Sequence, residues 1–164
     1  MRKQAGFTLV ELLIVIGMIA LISLIAIPNV IGMLPDYRLR SAAHDLFSNF
    51  QKAKLEAVKR NINTAVCFSA GSYTVFVDAD GDFVQDGGED VIVAANWSEY
   101  KDVSVTLANV TFDNSSGQPC VAFQPNGIPV DNGGGSANGT APIDNTKGKV
   151  TAVIISQAGN IRIN

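Results

Sequence analysis

The residues of this chain whose types and spacing could do chemistry are an acidic run in its middle and one isolated glutamate near its start. Asp78, Asp80, Asp82, Asp86 and Glu89 occupy positions 1, 3, 5, 9 and 12 of a twelve-residue window. Those are oxygen-ligand positions of an EF-hand-like calcium loop, with a Glu at the last. Two features depart from that pattern. The sixth position, where the sharp turn calls for glycine, holds Phe83, and Gly81 comes two residues early. The flanking segments also read as strands rather than helices. The same residues fit a solvated hairpin loop in which Asp side chains cap backbone amides. Calcium is therefore the one cofactor the sequence puts forward, and a metal-free capped loop is its alternative. The isolated glutamate is Glu11, the only charge in the 21 residues from Phe7 to Ile27. A carboxylate in a membrane-spanning helix costs roughly 2.5–3.5 kcal/mol, so it needs either a proton or a charged partner.

Cys67 and Cys120 are the only cysteines. The basic flank Arg2/Lys3 orients the apolar segment with its start in the cytoplasm, which puts both thiols on the exported side, where disulfides persist. Two cysteines allow one intramolecular pairing, and that bridge would contribute on the order of 3–4 kcal/mol. Two buried free thiols are the alternative. No Ser/His/Asp set, Cys/His metal cluster or phosphate-binding glycine loop is present, and the single histidine, His44, reads as a helix-surface or interface residue. The expectation is that the protein is not an enzyme. Trp97 and Tyr100 read as core, or as an exposed aromatic pair for subunit contact.

The elements that must position these residues follow from periodicity. As a helix at about 1.5 Å per residue, Phe7–Ile27 spans about 30 Å, the thickness of a bilayer core. A cleaved secretory signal would have a shorter apolar core followed by an Ala-x-Ala-like site, and none follows here. Pro28 and Pro35 each remove an amide donor and are expected to kink or open the helix. Beyond them Leu39, Ala43, Leu46, Phe50, Ala53 and Ala57 recur at helical spacing as one apolar stripe, and Asn61 reads as a stop signal. Thr64–Ser69 and Ser72–Val77 alternate as strands of a hairpin around Ala70-Gly71. Further strands are expected at Asp90–Ala95, Val103–Ala108, Cys120–Gln124, Lys149–Ser156 and Asn160–Asn164. Residues 126–148, with six glycines and two prolines, read as a long, mobile, solvated loop. Charge is uneven: residues 36–60 carry six basic and three acidic side chains, residues 61–164 four and eleven. An acidic distal domain argues against generic binding of nucleic acid.

The segment Gly6-Phe7-Thr8-Leu9-Val10-Glu11-Leu12-Leu13 resembles the cleavage and assembly motif of type IV pilin-like proteins, residue for residue. The resemblance implies that a prepilin peptidase cuts between Gly6 and Phe7 and that the new amino group of Phe7 is N-methylated. It further implies that Glu11 meets the Phe7 amine of a neighbouring subunit in the membrane, which would set the axial register. A chain that still carries the leader is then the unprocessed form. Leu55-Glu56-Ala57-Val58-Lys59-Arg60-Asn61, followed by Ala65-Val66-Cys67 and by Tyr73-Thr74-Val75-Phe76-Val77-Asp78-Ala79-Asp80-Gly81, is similar to the GspH/FimT branch of minor pilins and pseudopilins. Similarity covers about residues 5–92 and a short C-terminal piece; residues 96–148 carry none.

What the resemblance implies is an α+β protein in four parts. They are a leader (1–6), a transmembrane and assembly helix (7–34), an amphipathic helical half (35–62) and a β-rich antiparallel domain (63–164). It would serve as a structural subunit of a type II secretion pseudopilus or a type IV pilus, at or near the filament tip. Its partners would be other pilins and prepilin peptidase. Its place would be the bacterial inner membrane, crossed once, with the head on the periplasmic side or in the filament. The rival reading is a ligand-binding module for DNA or a secreted substrate, displayed on a pilin stem. Gly159-Asn160-Ile161-Arg162 partly resembles the Gly-Arg-x-Arg stretch by which some FimT-type minor pilins bind DNA. Asn160 replaces the first arginine, however, and Arg162 alone gives little counterion release.

Overall fold

The computed structural model describes residues 7–164. They fall into two compact units, one ending at Leu34 and one comprising Pro35–Asn164. Helix α1, Leu9–Arg60, contributes residues to both. Thr8 starts it. The Glu11 amide donates to Thr8 Oγ1 at 3.3 Å and the Leu12 amide to the Thr8 carbonyl at 3.2 Å. Thr8 is thus the N-cap and Glu11 the third helical residue, the spacing of a capping box. Pro28 and Pro35 each lack a donor, yet helical structure continues through both. In the first unit every large apolar side chain from Phe7 to Met33 is exposed. By length and composition this apolar stretch is enough to cross a membrane. Its one hydroxyl of interest, Ser23 Oγ, donates to the Ile19 carbonyl at 2.8 Å and so is satisfied within the helix.

In the second unit the expected stripe, with Ala42 added, is buried: Leu39, Ala42, Ala43, Leu46, Phe50, Ala53 and Ala57. Asn61 ends the helix by adopting a left-handed φ of 56°. The Ile62 amide then reaches back to the Ala57 carbonyl at 3.3 Å, the six-to-one bond of a Schellman turn. Nine strands follow. They are β1 Thr64–Ser69, β2 Ser72–Val77, β3 Val91–Asn96, β4 Val103–Ser104, β5 Cys120–Phe123, β6 Pro129–Val130, β7 Gly139–Asn145, β8 Val150–Ile155 and β9 Ile161–Ile163. They form two antiparallel sheets, in the orders β3-β2-β1-β5-β6 and β4-β7-β8-β9.

The helical stripe packs on Val66, Phe68, Tyr73, Val75, Val121 and Phe123 of the first sheet and on Ala141, Ile143, Val153 and Ile155 of the second. Phe50 lies at the centre, with ring centroids 5.8 Å from Phe112, 6.2 Å from Phe68 and 6.5 Å from Phe123. The opposite face of the first sheet holds a second, smaller core of Ala65, Cys67, Phe76, Phe83, Cys120, Ala122 and Val130. Strand β1 is consequently buried on both faces from Thr64 to Phe68. Alternation in its sequence predicts one wet face; the segments around Phe83 and Val130 cover that face instead.

Residues 126–148 depart most from expectation. They contain β6 and all of β7, not an open loop. Ala141, Ile143 and Asn145 of β7 are buried, an inward set with period two. Pro142 masked it, because proline in a strand removes a ladder donor. Here the loss is harmless. Pro142 lies opposite Ala152, and Ala152 exchanges its hydrogen bonds (2.9 and 3.2 Å) with Asn164 on the far side. The position where Pro142 lacks an N–H therefore faces away from β8, beyond the short strand β4, which pairs only with Asn145 and Asp144. For the same reason the strand expected at Val103–Ala108 is only two residues long: β7 offers it two partners, and the chain then makes a 3-10 turn at Leu107–Asn109.

Candidate functional site

Two regions hold the residues singled out above. The first is the start of α1. Gly6 lies outside the described residues. Phe7 is 79% exposed, and Glu11 is exposed in the first turn of the helix. The Thr8 cap adds a local role that the motif alone did not suggest: it fixes where the helix begins, three residues before Glu11. The signal was present as Thr8-x-x-Glu11 ahead of an apolar run.

The second region is the loop from Asp78 to Asp90, between β2 and β3. Its base is set by the end of α1. Arg60 Nε meets Glu56 Oε2 at 2.7 Å, and Arg60 Nη1 meets Asp90 Oδ2 at 2.7 Å. The Asp78 amide donates to the Asn63 carbonyl at 2.9 Å. The Glu56, Arg60 and Asn61 of the helix-end signature thus act together: the ion pairs tie helix to loop, and the left-handed asparagine turns the chain into β1.

Within the loop, the five acidic residues divide. One carboxylate oxygen from each of Asp78, Asp80 and Asp82 lies within 4.8 Å of the others. Glu89 does not join them. Its Oε1 accepts from the Ala79 amide at 2.8 Å and its Oε2 from the Asp86 amide at 3.2 Å, so it closes the loop as a backbone cap. Asp86 contributes its backbone to that closure. Asp82 Oδ1 accepts from Val84 N at 2.7 Å and Asp78 Oδ1 from Gly81 N at 3.1 Å. The capped-loop arrangement and a three-carboxylate cluster therefore coexist in one turn.

Phe83 is the residue that sequence reasoning counted against the loop. It takes a left-handed φ of 63°, the conformation that glycine supplies at that position in calcium loops. Its ring is buried, 1% exposed, in the core beside Cys67 and Cys120. Burial of a large aromatic ring offsets the backbone cost of about 1–2 kcal/mol. Cys67 and Cys120 are directly opposite in the β1–β5 register, with Cα atoms 4.2 Å apart, and are joined by a disulfide. Phe83 and the disulfide together pin the loop onto the sheet.

Asp78 is 1% exposed, and its Oδ2 has no hydrogen-bond partner. Burial pushes its carboxyl up to about 6; the Phe83 and Gly81 amides oppose that shift, while the charges of Glu89 and Asp80 add to it. Elsewhere, Trp97 is buried with its ring centroid 5.0 Å from that of Tyr73. Tyr100 donates to Asp45 of α1, and burial, with that carboxylate, raises its phenol above the ordinary value. The aromatic pair therefore splits into one core residue and one strut to the helix. His44 is exposed. Arg162 is exposed on β9, the edge of the second sheet, and Gly159 makes the β8–β9 turn at a φ of 75°. The Gly159–Arg162 stretch thus has a turn-and-edge role of its own.

The family model described as Type II transport protein GspH matches residues 42–159. The chain belongs to the GspH family. A second family model, the prokaryotic N-terminal methylation motif, matches residues 1–27. This GspH-family chain is 31% identical over 173 residues to the pilin-like protein PilA1 of Thermus thermophilus, covering 98% of both proteins. Its fold is similar to the crystal structure of the type IV minor pilin FimU of Pseudomonas aeruginosa, with a TM-score of 0.57 at 20% identity over 79% of this chain and 90% of that one. A second crystal form of FimU gives 0.54 at 21% identity, over 77% and 92%. The protein is therefore pilin-like, of the minor pilin or pseudopilin kind, with a long N-terminal helix packed on antiparallel sheets. That family is one of structural pilins, which associate with other pilins and are anchored by the N-terminal helix. The GspH match also spans residues 96–148, where no resemblance was legible.

Proposed function

We propose that this protein is a minor subunit of a type II secretion pseudopilus or a type IV pilus, built in at or near the filament tip. Before assembly it sits in the bacterial inner membrane, crossing once, with residues 63–164 on the periplasmic side. Prepilin peptidase cuts between Gly6 and Phe7, and the Phe7 amine is then methylated. The observation that supports this reading is a single carboxylate, Glu11, on a helical segment whose large apolar side chains from Phe7 to Met33 are all exposed. Such a segment needs lipid or other helices around it, and a buried charge needs a counter-charge. The Phe7 amine of the next subunit supplies one, and one fixed pair per subunit sets the axial register.

The test has two readouts. Intact mass after co-expression with a prepilin peptidase should show loss of Met1–Gly6 and a methyl group on Phe7. Glu11→Ala should be cleaved as efficiently as the parent and be absent from sheared filaments. A Glu11→Ala chain that incorporates normally would end the register mechanism; an uncleaved parent chain would end the processing step.

A further inference from the structure

We infer that Asp78, Asp80 and Asp82 form a divalent-cation site in the β2–β3 loop, and that its ligand is calcium. The three carboxylates place an oxygen each within 4.8 Å of one another. One ion with metal–oxygen distances of about 2.3–2.6 Å can touch all three. The independent observation is the orphaned oxygen of Asp78. That side chain is 1% exposed, yet Oδ2 has no partner among the described residues. A buried polar atom without a partner is costly, and beside two further carboxylates the partner that relieves both desolvation and mutual repulsion is a cation.

The donors are all hard oxygens, which excludes a thiolate- or imidazole-preferring metal. Asp80 and Asp82 are exposed, so water can complete the shell. Calcium accepts such an irregular, partly hydrated set, whereas magnesium demands a near-ideal octahedron. The site is smaller than the sequence window implied, because both oxygens of Glu89 are engaged by amides. Three carboxylates without the bidentate glutamate place the affinity in the weak class of exported modules, about 10⁻⁴–10⁻³ M. The bound ion would fasten a loop already tied to the disulfide through Phe83 and to the helix end through Arg60 and Asp90.

The experiment is calcium titration of the full-length chain in detergent micelles after treatment with chelator, read by calorimetry and by thermal unfolding. Saturable binding and a rise in melting temperature of roughly 3 °C or more at ~10 mM calcium are expected. Asp80→Asn and Asp82→Asn should each weaken calcium binding at least tenfold; both side chains are exposed, so both variants should fold. The double variant Asp80→Asn/Asp82→Asn should give no thermal shift. Absence of heat and of shift in the parent chain would overturn the site. So would an undiminished response in the double variant. Equal affinity for magnesium would overturn the choice of calcium.

Discussion

Leu9–Leu34 and Pro35–Arg60 are consecutive halves of one helix of 52 residues, and they solve opposite problems. In the first half the apolar residues point in every direction and none of them is buried by this chain. In the second, seven apolar residues from Leu39 to Ala57 form one buried stripe, while Tyr37, Leu55 and Val58 stay exposed. A helix that is apolar all round is stable only where lipid or other helices surround it; an amphipathic one finds its partner within its own fold. The same secondary structure therefore serves association outward in one half and folding inward in the other.

Substitutions should separate the halves. Phe50→Ala is expected to cost the head about 3–5 kcal/mol, because it empties the centre of the aromatic cluster. Leu46→Ala should cost about 2–5 kcal/mol, whereas Leu21→Ala in the first half should leave head stability within about 0.5 kcal/mol. Urea unfolding of the detergent-solubilised chain, followed by Trp97 fluorescence, measures all three. A Leu21→Ala loss as large as that of Leu46→Ala would abolish the distinction. Next in size is the disulfide. Replacing both Cys67 and Cys120 by alanine releases a link across 53 residues of chain. About 2–4 kcal/mol should be lost, read in the same titration.

The loop of the head supplies a pH-dependent test. Asp78 has an ordinary value of 3.8 and is pushed to about 6 in the folded protein. Its folded value is the higher one, so the folded state holds the proton more tightly. Its favourable contribution is present below about pH 4 and is lost as pH rises through about 6. With chelator present, stability should fall across that window by on the order of 2–3 kcal/mol relative to Asp78→Asn, which lacks the titrating group. Parallel pH profiles for parent and variant would show that Asp78 is not strained by burial. The smallest effect is at the helix end. Asn61→Ala places a β-carbon at a φ of 56° and should cost about 1 kcal/mol, while Asn61→Gly should be neutral or better.

The helix was legible almost completely, because its first half is a continuous apolar run and its second a stripe at helical spacing. Leu39, Leu46 and Phe50 declare one face at helical spacing, and Asn61 declares the stop. The sheets were legible only where alternation was unbroken, as in β1 and β2. Pro142 and the surrounding glycines hid β7, since what makes that proline acceptable is the absence of a partner strand beside it. At the acidic loop, spacing offered five candidate ligands beside a metal-free capped loop. Three converge, while Glu89 is drawn to the Ala79 and Asp86 amides. Phe83 departs from the glycine of a calcium-loop turn, and only its burial in the second core makes its left-handed backbone acceptable.

By itself, then, the sequence determined what depends on near neighbours: the apolar segment with its single carboxylate, the amphipathic stripe and the N-terminal methylation motif. Tertiary structure decided what depends on residues far apart in the chain. It placed Cys67 opposite Cys120, buried both faces of β1, admitted Pro142 to a sheet and divided one acidic run into a cap and a cluster. Helical order is carried by hydrogen bonds between residues four apart. Strand partners and the burial of a loop side chain are set by which distant segments arrive beside them, and no local pattern encodes that.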